Sequence, residues 1–366
     1  MKIREIIHHL EILAPPYLQE SYDNVGLLTG DADSACTGVI CTLDCTERVV
    51  EEAIEKKCNL IVAHHPIVFS GLKKITGKTY VERTVIKAIK NDIAIYAIHT
   101  NLDNVIGGVN GKIAEKLGLR NSKVLQPKTG WLKKLITFAP EKNAEEVRVA
   151  LFAAGAGSIG NYSECSFNVN GEGSFKPGEN TNPFVGEKGT RHIEKETRIE
   201  TIYPAYLETA ILKALFDAHP YEEVAYDIIS LQNYDPKTGA GLIGDLLEPL
   251  DEISFLAHLK RVFGPGAIKH TVLTGRKIKK VAVCGGAGSF LISNALINGA
   301  DAFVTSDLKY HEFFDADSRL LLVDIGHYES EQFTIDLLQA EIAKKFPTFA
   351  VLKTTEKTNP VRYFLE

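Results

Sequence analysis

The 366-residue sequence has no Cys-x-x-Cys pair and no surplus of basic side chains. It also contains nothing close to the roughly 20 consecutive apolar residues of a membrane span. Each gap excludes something. The six cysteines, at 36, 41, 45, 58, 165 and 284, do not belong to a small secreted domain with a disulfide framework. They read as thiols packed like small apolar residues in a reducing compartment. The opening stretch Met1–Leu18 has apolar residues at helical spacing but no cleavage site, so no secretory leader is expected. A soluble, cytoplasmic protein is therefore expected. Lys+Arg number 41 against Asp+Glu 47, a net charge of −6. This mixed, mildly acidic balance argues against a general binder of nucleic acid or of an anionic membrane.

What is present is the composition of a folded chain, 45% hydrophobic and 24% charged, which excludes disorder. Its length predicts about two or three folding units. An amphipathic helix ends at Pro15-Pro16 and leads to a loop around Tyr22-Asp23-Asn24. Buried strands are expected at 38–44, 60–63 and 93–98, separated by helices at 46–57 and 79–90. The last third repeats the alternation. Strands are expected at 280–284, 302–305 and 320–325, a helix at 289–298, and a final helix from about 331 to 344. Short apolar strands alternating with helices are the signature of a parallel α/β layer.

The two outer thirds overlay. Val39 aligns with Val281 and His65 with Asp307 at one offset, 281 − 39 and 307 − 65 both being 242. His99 aligns with His327 and Asp103 with Glu331 at another, 327 − 99 and 331 − 103 both being 228. A shared supersecondary unit is the safer reading of the pattern, and duplication is a hypothesis. The middle reads differently, as βα, ββ, αβ over about 100 residues, the ferredoxin-like pattern. Turn-rich stretches at 126–130 and 233–239 bound it. The expected organisation is therefore a discontinuous α/β outer domain of two similar halves, 1–130 and 233–366, with a ferredoxin-like α+β domain inserted at 131–232. Within the insert, Asn170–Gly178 is Gly-rich and reads either as a flexible hairpin excursion or as a ligand or subunit contact.

His64-His65-Pro66 closes a buried strand, where ligands gather in α/β sheets. Consecutive side chains of an extended segment point to opposite sides, so the pair suits two neighbouring ions, or one ion and a supporting role. His99 and Asp103 follow the next strand. His327 and Glu331 repeat that spacing, and positions four apart on a helix share a face. Glu331 alone would read as a carboxylate favoured by a helix N-terminus. Beside three other strand-end ligands it reads as part of a site.

The set is then His64, His65, Asp103, His327 and Glu331, with His99 in a supporting role and no cysteine at these strand ends. Nitrogen and oxygen donors suit zinc first, with iron and manganese as alternatives. Five ligands with two carboxylates exceed a closed structural zinc site. They fit two divalent ions about 3.5–4 Å apart, which make bridging water a nucleophile at neutral pH. Asp307 and His311 follow the equivalent strand of the second half and are candidates to line the same cleft, with His99 and His311 the proton-handling candidates. Cys284–Ser289 is either a tight turn or an anion cradle. His8 and His9 read as surface residues.

These motifs resemble a known family. Leu60–Pro66, His99-Thr100-Asn101-Leu102-Asp103 and Gly326-His327-x-x-x-Glu331, with Tyr22–Gly26 and Cys284-Gly285-Gly286, are similar to the GTP cyclohydrolase 1 type 2 homologues, the domain-of-unknown-function 34 proteins. The resemblance implies a two-metal site on His64, His65, Asp103, His327 and Glu331. It also implies a homohexameric ring whose metal centres face an internal cavity. The insert resembles the PII-like, copper-tolerance-like extra domain of longer bacterial members. The expected function is a metal-dependent hydrolase acting on a small substrate, with a nucleotide as one candidate class. The alternative is a non-catalytic metal-sensing, metal-trafficking or regulatory protein whose insert binds a small effector.

Overall fold

A computed structural model describes residues 1–364. The chain divides into two compact units, Met1–Pro127 with Pro236–Glu366, and Lys128–Asp235. The described residues form a mixed α/β fold with three sheets.

The discontinuous unit carries two of these sheets. The first runs Gly26–Thr29, Ala94–Ala97, Leu60–His65, Val39–Asp44, Val351–Lys353 in spatial order. Its three central strands are parallel, with Val39 beside Leu60 and Leu60 beside Ala94. Strands buried on both faces need continuous apolar runs, and Leu60-Ile61-Val62-Ala63 is one. The helices between them start at capping threonines. Thr46 accepts from the Val49 N–H to open Glu47–Glu55, and Thr79 from the Glu82 N–H to open Tyr80–Lys90.

The second sheet runs Lys269–His270, Leu321–Asp324, Ala302–Ser306, Ile278–Ala287, Gly239–Leu250, Arg120–Pro127. Its parallel centre places Val281 beside Ala302 and Ala302 beside Leu321. The 242-residue offset therefore holds in the sheets themselves, Val39–Leu60 corresponding to Val281–Ala302. The third strand differs. Ala94 corresponds to Leu321, an offset of 227 (321 − 94), so the register matches His99 to Gly326 rather than to His327.

The halves exchange edge strands. Val351–Lys353, from the C-terminal end, pairs with Val39–Cys41 of the first sheet. Arg120–Pro127, from the N-terminal half, pairs with Gly239–Asp245 of the second. One core accordingly mixes Ile3, Leu60 and Tyr96 with Phe255, Val281 and Ile342, all buried. The sequence pattern does not disclose Arg120–Pro127 or Gly239–Leu250, because polar residues in one and glycines in the other hide strand periodicity. The helix expected from 331 also starts earlier and breaks, into His327–Glu331 and Thr334–Lys345. Five of the six cysteines are buried, and burial raises the thiol of Cys36 to about 11 and that of Cys45 to about 12.

The 128–235 unit is an antiparallel sheet in the order Ser166–Phe175, His192–Pro204, Leu132–Pro140, Tyr226–Ser230. Helices Ala144–Ala153 and Glu208–Ala218 belong to the same unit. Its core joins Leu135, Ile199 and Tyr203 of the strands to Val147, Leu151, Ile211 and Leu215 of the helices. The Gly-rich stretch is not a flexible excursion at its start. Asn170–Phe175 continues the strand and pairs residue by residue with His192–Thr197. Among the described residues, no helix is long and apolar enough to cross a membrane.

Candidate metal centre

The parallel strands of both sheets of the discontinuous unit end at one place. His64 and His65 are the last residues of Leu60–His65. His99 caps the helix Thr100–Asp103 just past Ala94–Ala97. His327 and Glu331 begin and end the short helix after Leu321–Asp324.

Each of four histidines is held from behind through Nδ1. His64 Nδ1–H donates to the Ile98 carbonyl at 2.8 Å. His65 Nδ1 meets Asp44 Oδ1 at 2.8 Å, His99 Nδ1 meets Asp23 Oδ1 at 2.8 Å, and His327 Nδ1 meets Asp307 Oδ2 at 2.7 Å. An oxygen at Nδ1 keeps the proton there and leaves Nε2 as the inward lone pair, the arrangement that orients metal-binding imidazoles. His64 and His65 do not point to opposite faces as an ideal strand would have them. His64 leans to the neighbouring strand's Ile98 and His65 to Asp44 on the other side, and their ring centroids stand 4.9 Å apart.

The inward atoms converge. Glu331 Oε2 lies 2.9 Å from His65 Nε2, 3.1 Å from His327 Nε2 and 3.9 Å from His64 Nε2. Asp103 Oδ1 faces His64 Nε2 at 3.7 Å. Ligand atoms of His64, His65 and His99 form one group, and those of His65, His327 and Glu331 another. His99 thus stands among the donors rather than behind them. His311 does not join them. It is exposed in the turn Tyr310–Ala316, its ring against Tyr310 and Phe314.

The electrostatics are those of a donor set that could hold a cation. His64 Nε2 and Asp103 Oδ1 are buried with no hydrogen-bond partner, although such atoms are costly to leave unpaired. Burial holds His64 neutral, its pKa down to about 3. Burial also opposes charging His65 and His327, but bonds to Asp44 and Glu331 raise the first to about 9, and bonds to Asp307 and Glu331 raise the second to about 11. Burial and the nearby Glu331 charge push Asp103 well above its usual range. Against its own burial, the His327 and His65 bonds hold Glu331 well below its usual range. Protons on two histidines offset the carboxylates where a cation would do so. The residues present therefore fit a metal ion.

Local geometry protects this arrangement. Asp307 follows its strand in the left-handed region (φ 55°), which an aspartate tolerates. Gly286 (φ 61°) passes so close that a Cβ there would stand 2.4 Å from Glu331 Oε1. The Cys284–Ser289 turn is structural where it meets the site. Its Gly285 and Gly286 N–H groups donate to Asn110 Oδ1 and Ser330 Oγ, both at 3.0 Å, rather than to an anion. Tyr22-Asp23-Asn24 divides its work. Asp23 takes the Thr100 N–H and hydroxyl besides His99, and despite burial these bonds lower its pKa to about 2. Asn24 ties the loop to the Val68 carbonyl, and Tyr22 stands exposed with its ring 6.3 Å from Phe69. Sequence reasoning missed Asp44. The signal was its position at a strand end, directly beside His65 in the sheet.

Comparison with known proteins places these features in a family. The model of the Duf34/NIF3 (NGG1p interacting factor 3) family matches residues 1–360. The Bacillus subtilis protein called GTP cyclohydrolase 1 type 2 homolog is 40% identical over 366 residues, covering 98% of each chain. One of the same name from Halalkalibacterium halodurans is 43% identical over 324 residues, 88% of this chain and 87% of that one. Among solved structures, a Bacillus cereus protein related to NIF3 superposes with a TM-score of 0.77 at 40% identity, covering 100% of this chain and 99% of its own. A Staphylococcus aureus protein gives 0.80 at 30% identity, with the same coverage.

Proposed function

The chain belongs to the Duf34/NIF3 family, and on that premise we propose that it is a dinuclear-metal hydrolase. His64, His65, Asp103, His327 and Glu331 would hold two divalent ions, zinc first, with iron or manganese as alternatives. The observation that carries the reading is two donor groups that share His65, one of His64, His65 and His99 and the other of His65, His327 and Glu331, with each of the four rings backed by an oxygen at Nδ1. Bound ions would supply Lewis acidity and a water acidic enough to ionise near neutral pH.

The chain's own residues do the rest. Glu331 Oε2, 2.9 Å from His65 Nε2 and 3.1 Å from His327 Nε2, is the carboxylate oxygen that both rings would share as a co-ligand. Asp23, Asp44 and Asp307 hold three rings in one tautomer. The cluster is closed at His64 and Glu331, whose side chains are 0% and 3% exposed, and open at His327, 38% exposed. A substrate therefore approaches from the His327 side. His99 presents Nε2 to the cluster and is our proton-handling residue. We extend that role to His311 on its position after the equivalent strand alone. The exposed Tyr22 and Phe69 rings beside His99 form a platform for a planar group, which supports a nucleotide-like substrate.

We assign the 128–235 unit to the ferredoxin-like, PII-like class on its four-stranded antiparallel sheet and two helices. A homohexamer in the cytoplasm is the working assembly. Metal analysis of purified protein tests the central claim. Bound divalent metal is expected, and Glu331→Gln should lower it. Protein that binds none, or a variant with unchanged content, refutes the reading. A metal-sensing or regulatory role is the second reading, favoured by a separate cavity in the 128–235 unit. Turnover of nucleotides or phosphoesters by metal-loaded protein separates the two.

A further inference from the structure

We propose that the 128–235 unit binds a small organic cation, a quaternary or protonated amine with an apolar body, in a cavity on the open face of its sheet. The proposal stands on this unit alone and is independent of either reading of the metal centre. The cavity measures about 600 Å³, within the range of pockets that enclose small molecules.

Strand register fixes its floor. Val169 and Phe138 both pair with Arg198, Gly171 pairs with Glu196, and Phe175 pairs with His192. Paired residues share a face, and this one is opposite to the face of Ile199 and Leu135, which pack on the helices. The Gly-rich run now has a purpose. Gly171 and Gly173 leave the floor without side chains, and the Glu196 carboxylate occupies the space, with Oε2 only 2.0 Å from where a Gly173 Cβ would stand.

Aromatic rings make the walls. Phe175 and Phe184 stand around Tyr221 at centroid distances of 5.8 and 6.3 Å, inclined by 61° and 52°. Rings at these angles pack edge to face, and all three line the cavity, where a ring face turned to the ligand would receive an ammonium group. Tyr221 donates its hydroxyl to Glu196 Oε1 at 2.9 Å, which fixes ring and carboxylate together. The charge has one sign in excess. Glu172, Glu196, Glu222 and Glu223 line the cavity against Lys176 and Arg198, and Arg198 is already paired with Glu200 at 2.9 Å. A phosphate or carboxylate ligand would meet this surplus of negative charge. A cation with an apolar body matches both charge and walls.

The test uses the full chain and a matched pair of probes, choline and its neutral isostere 3,3-dimethylbutan-1-ol, titrated by ligand-observed NMR. Choline should bind, and the neutral alcohol about tenfold or more weakly. Glu196→Gln keeps the acceptor for Tyr221 but removes the charge, and should weaken choline about tenfold. Tyr221→Leu should abolish binding, whereas Tyr221→Phe should retain it because the ring face remains. Equal binding of the two probes overturns the proposal. So does the absence of choline binding up to about 50 mM, weaker than any useful recognition. Choline binding that survives both Glu196→Gln and Tyr221→Leu places the probe elsewhere and overturns it equally.

Discussion

Replacing Asp307 with Asn separates orientation of a ligand from the ligand itself. The carboxylate holds His327 Nδ1 at 2.7 Å and touches none of the inward donors. Asn keeps the oxygen and tolerates the left-handed backbone there, so the change removes chiefly a charge. A hydrogen bond to a charged partner contributes about 1.5–3 kcal/mol, a neutral one about 0.5–1.5, a difference of roughly 1–1.5 kcal/mol. Asp307 is 51% exposed, and solvent screening brings the figure to about 1 kcal/mol. Metal affinity should fall about fivefold, just below the usual range for such supporting carboxylates.

The pH dependence has a definite sign. His327, raised to about 11 by its bonds to Asp307 and Glu331, must lose a proton before it binds a cation. Asp307→Asn lowers that pKa, relieving proton competition while weakening the ligand. Both pH 6.5 and pH 9 lie well below about 11, so that relief is nearly equal at the two and the net loss should be nearly the same. Asp23→Asn is the internal control. Its side chain is fully buried and accepts from His99 and twice from Thr100, so the same change should cost more in both affinity and stability. Chelator-competition titrations with zinc read all three proteins. An Asp307→Asn loss that differs severalfold between the two pH values, or one exceeding that of Asp23→Asn, refutes the orienting role.

Three further outcomes test the site and the packing around it. Gly286→Ala should sharply reduce metal content while the far-ultraviolet circular dichroism stays native, since its Cβ would collide with Glu331 Oε1 but no ligand is removed; unaltered metal content would contradict the close approach. Phe303→Ala, in a fully buried site of the second sheet, should cost about 3–5 kcal/mol in urea denaturation, and a cost below about 1 kcal/mol would mean that this core is not packed as described. Under native conditions a thiol reagent should modify Cys165 fast and the five buried cysteines only as the chain unfolds, so several fast thiols would count against the burial of Cys36, Cys41, Cys45, Cys58 or Cys284.

The legibility of the sequence followed the strength of local signals. Val39–Asp44, Leu60–His65 and Ile278–Ala287 are visible as apolar runs, and their ends, where the ligands sit, are visible with them. Gly239–Leu250 escaped because its glycines mask a strand whose identity comes from pairing with Arg120–Pro127 and Ile278–Ala287 on either side. The opposed directions expected of His64 and His65 failed for a similar reason. Ideal alternation describes an isolated strand, whereas these rings are turned by acceptors on two different neighbours, the Ile98 carbonyl and Asp44. Asp307 was seen as a neighbour of the site, but its attachment to His327 depends on a fold-back no spacing rule conveys.

The exchanged edge strands tie the candidate site to the folding of its whole unit. His64, His65, His99 and Asp103 come from the first half, His327 and Glu331 from the second, and neither group alone contains both carboxylates. Each half completes the other's sheet, through Val351–Lys353 in one direction and Arg120–Pro127 in the other. The C-terminal segment also reaches the site's supports, since the Thr358 hydroxyl donates to Asp44 Oδ2 at 2.7 Å while Asp44 holds His65. Opening the Val351–Lys353 edge would therefore loosen His65, and a cation held by residues of both halves would in turn oppose that opening. At a free ion concentration of about 100 times Kd, such linkage contributes about 2.7 kcal/mol to the folded state. His64 Nε2 and Asp103 Oδ1, buried without hydrogen-bond partners and with His64 Nε2 3.9 Å from Glu331 Oε2 of the second half, mark where such a cation would add that stabilisation.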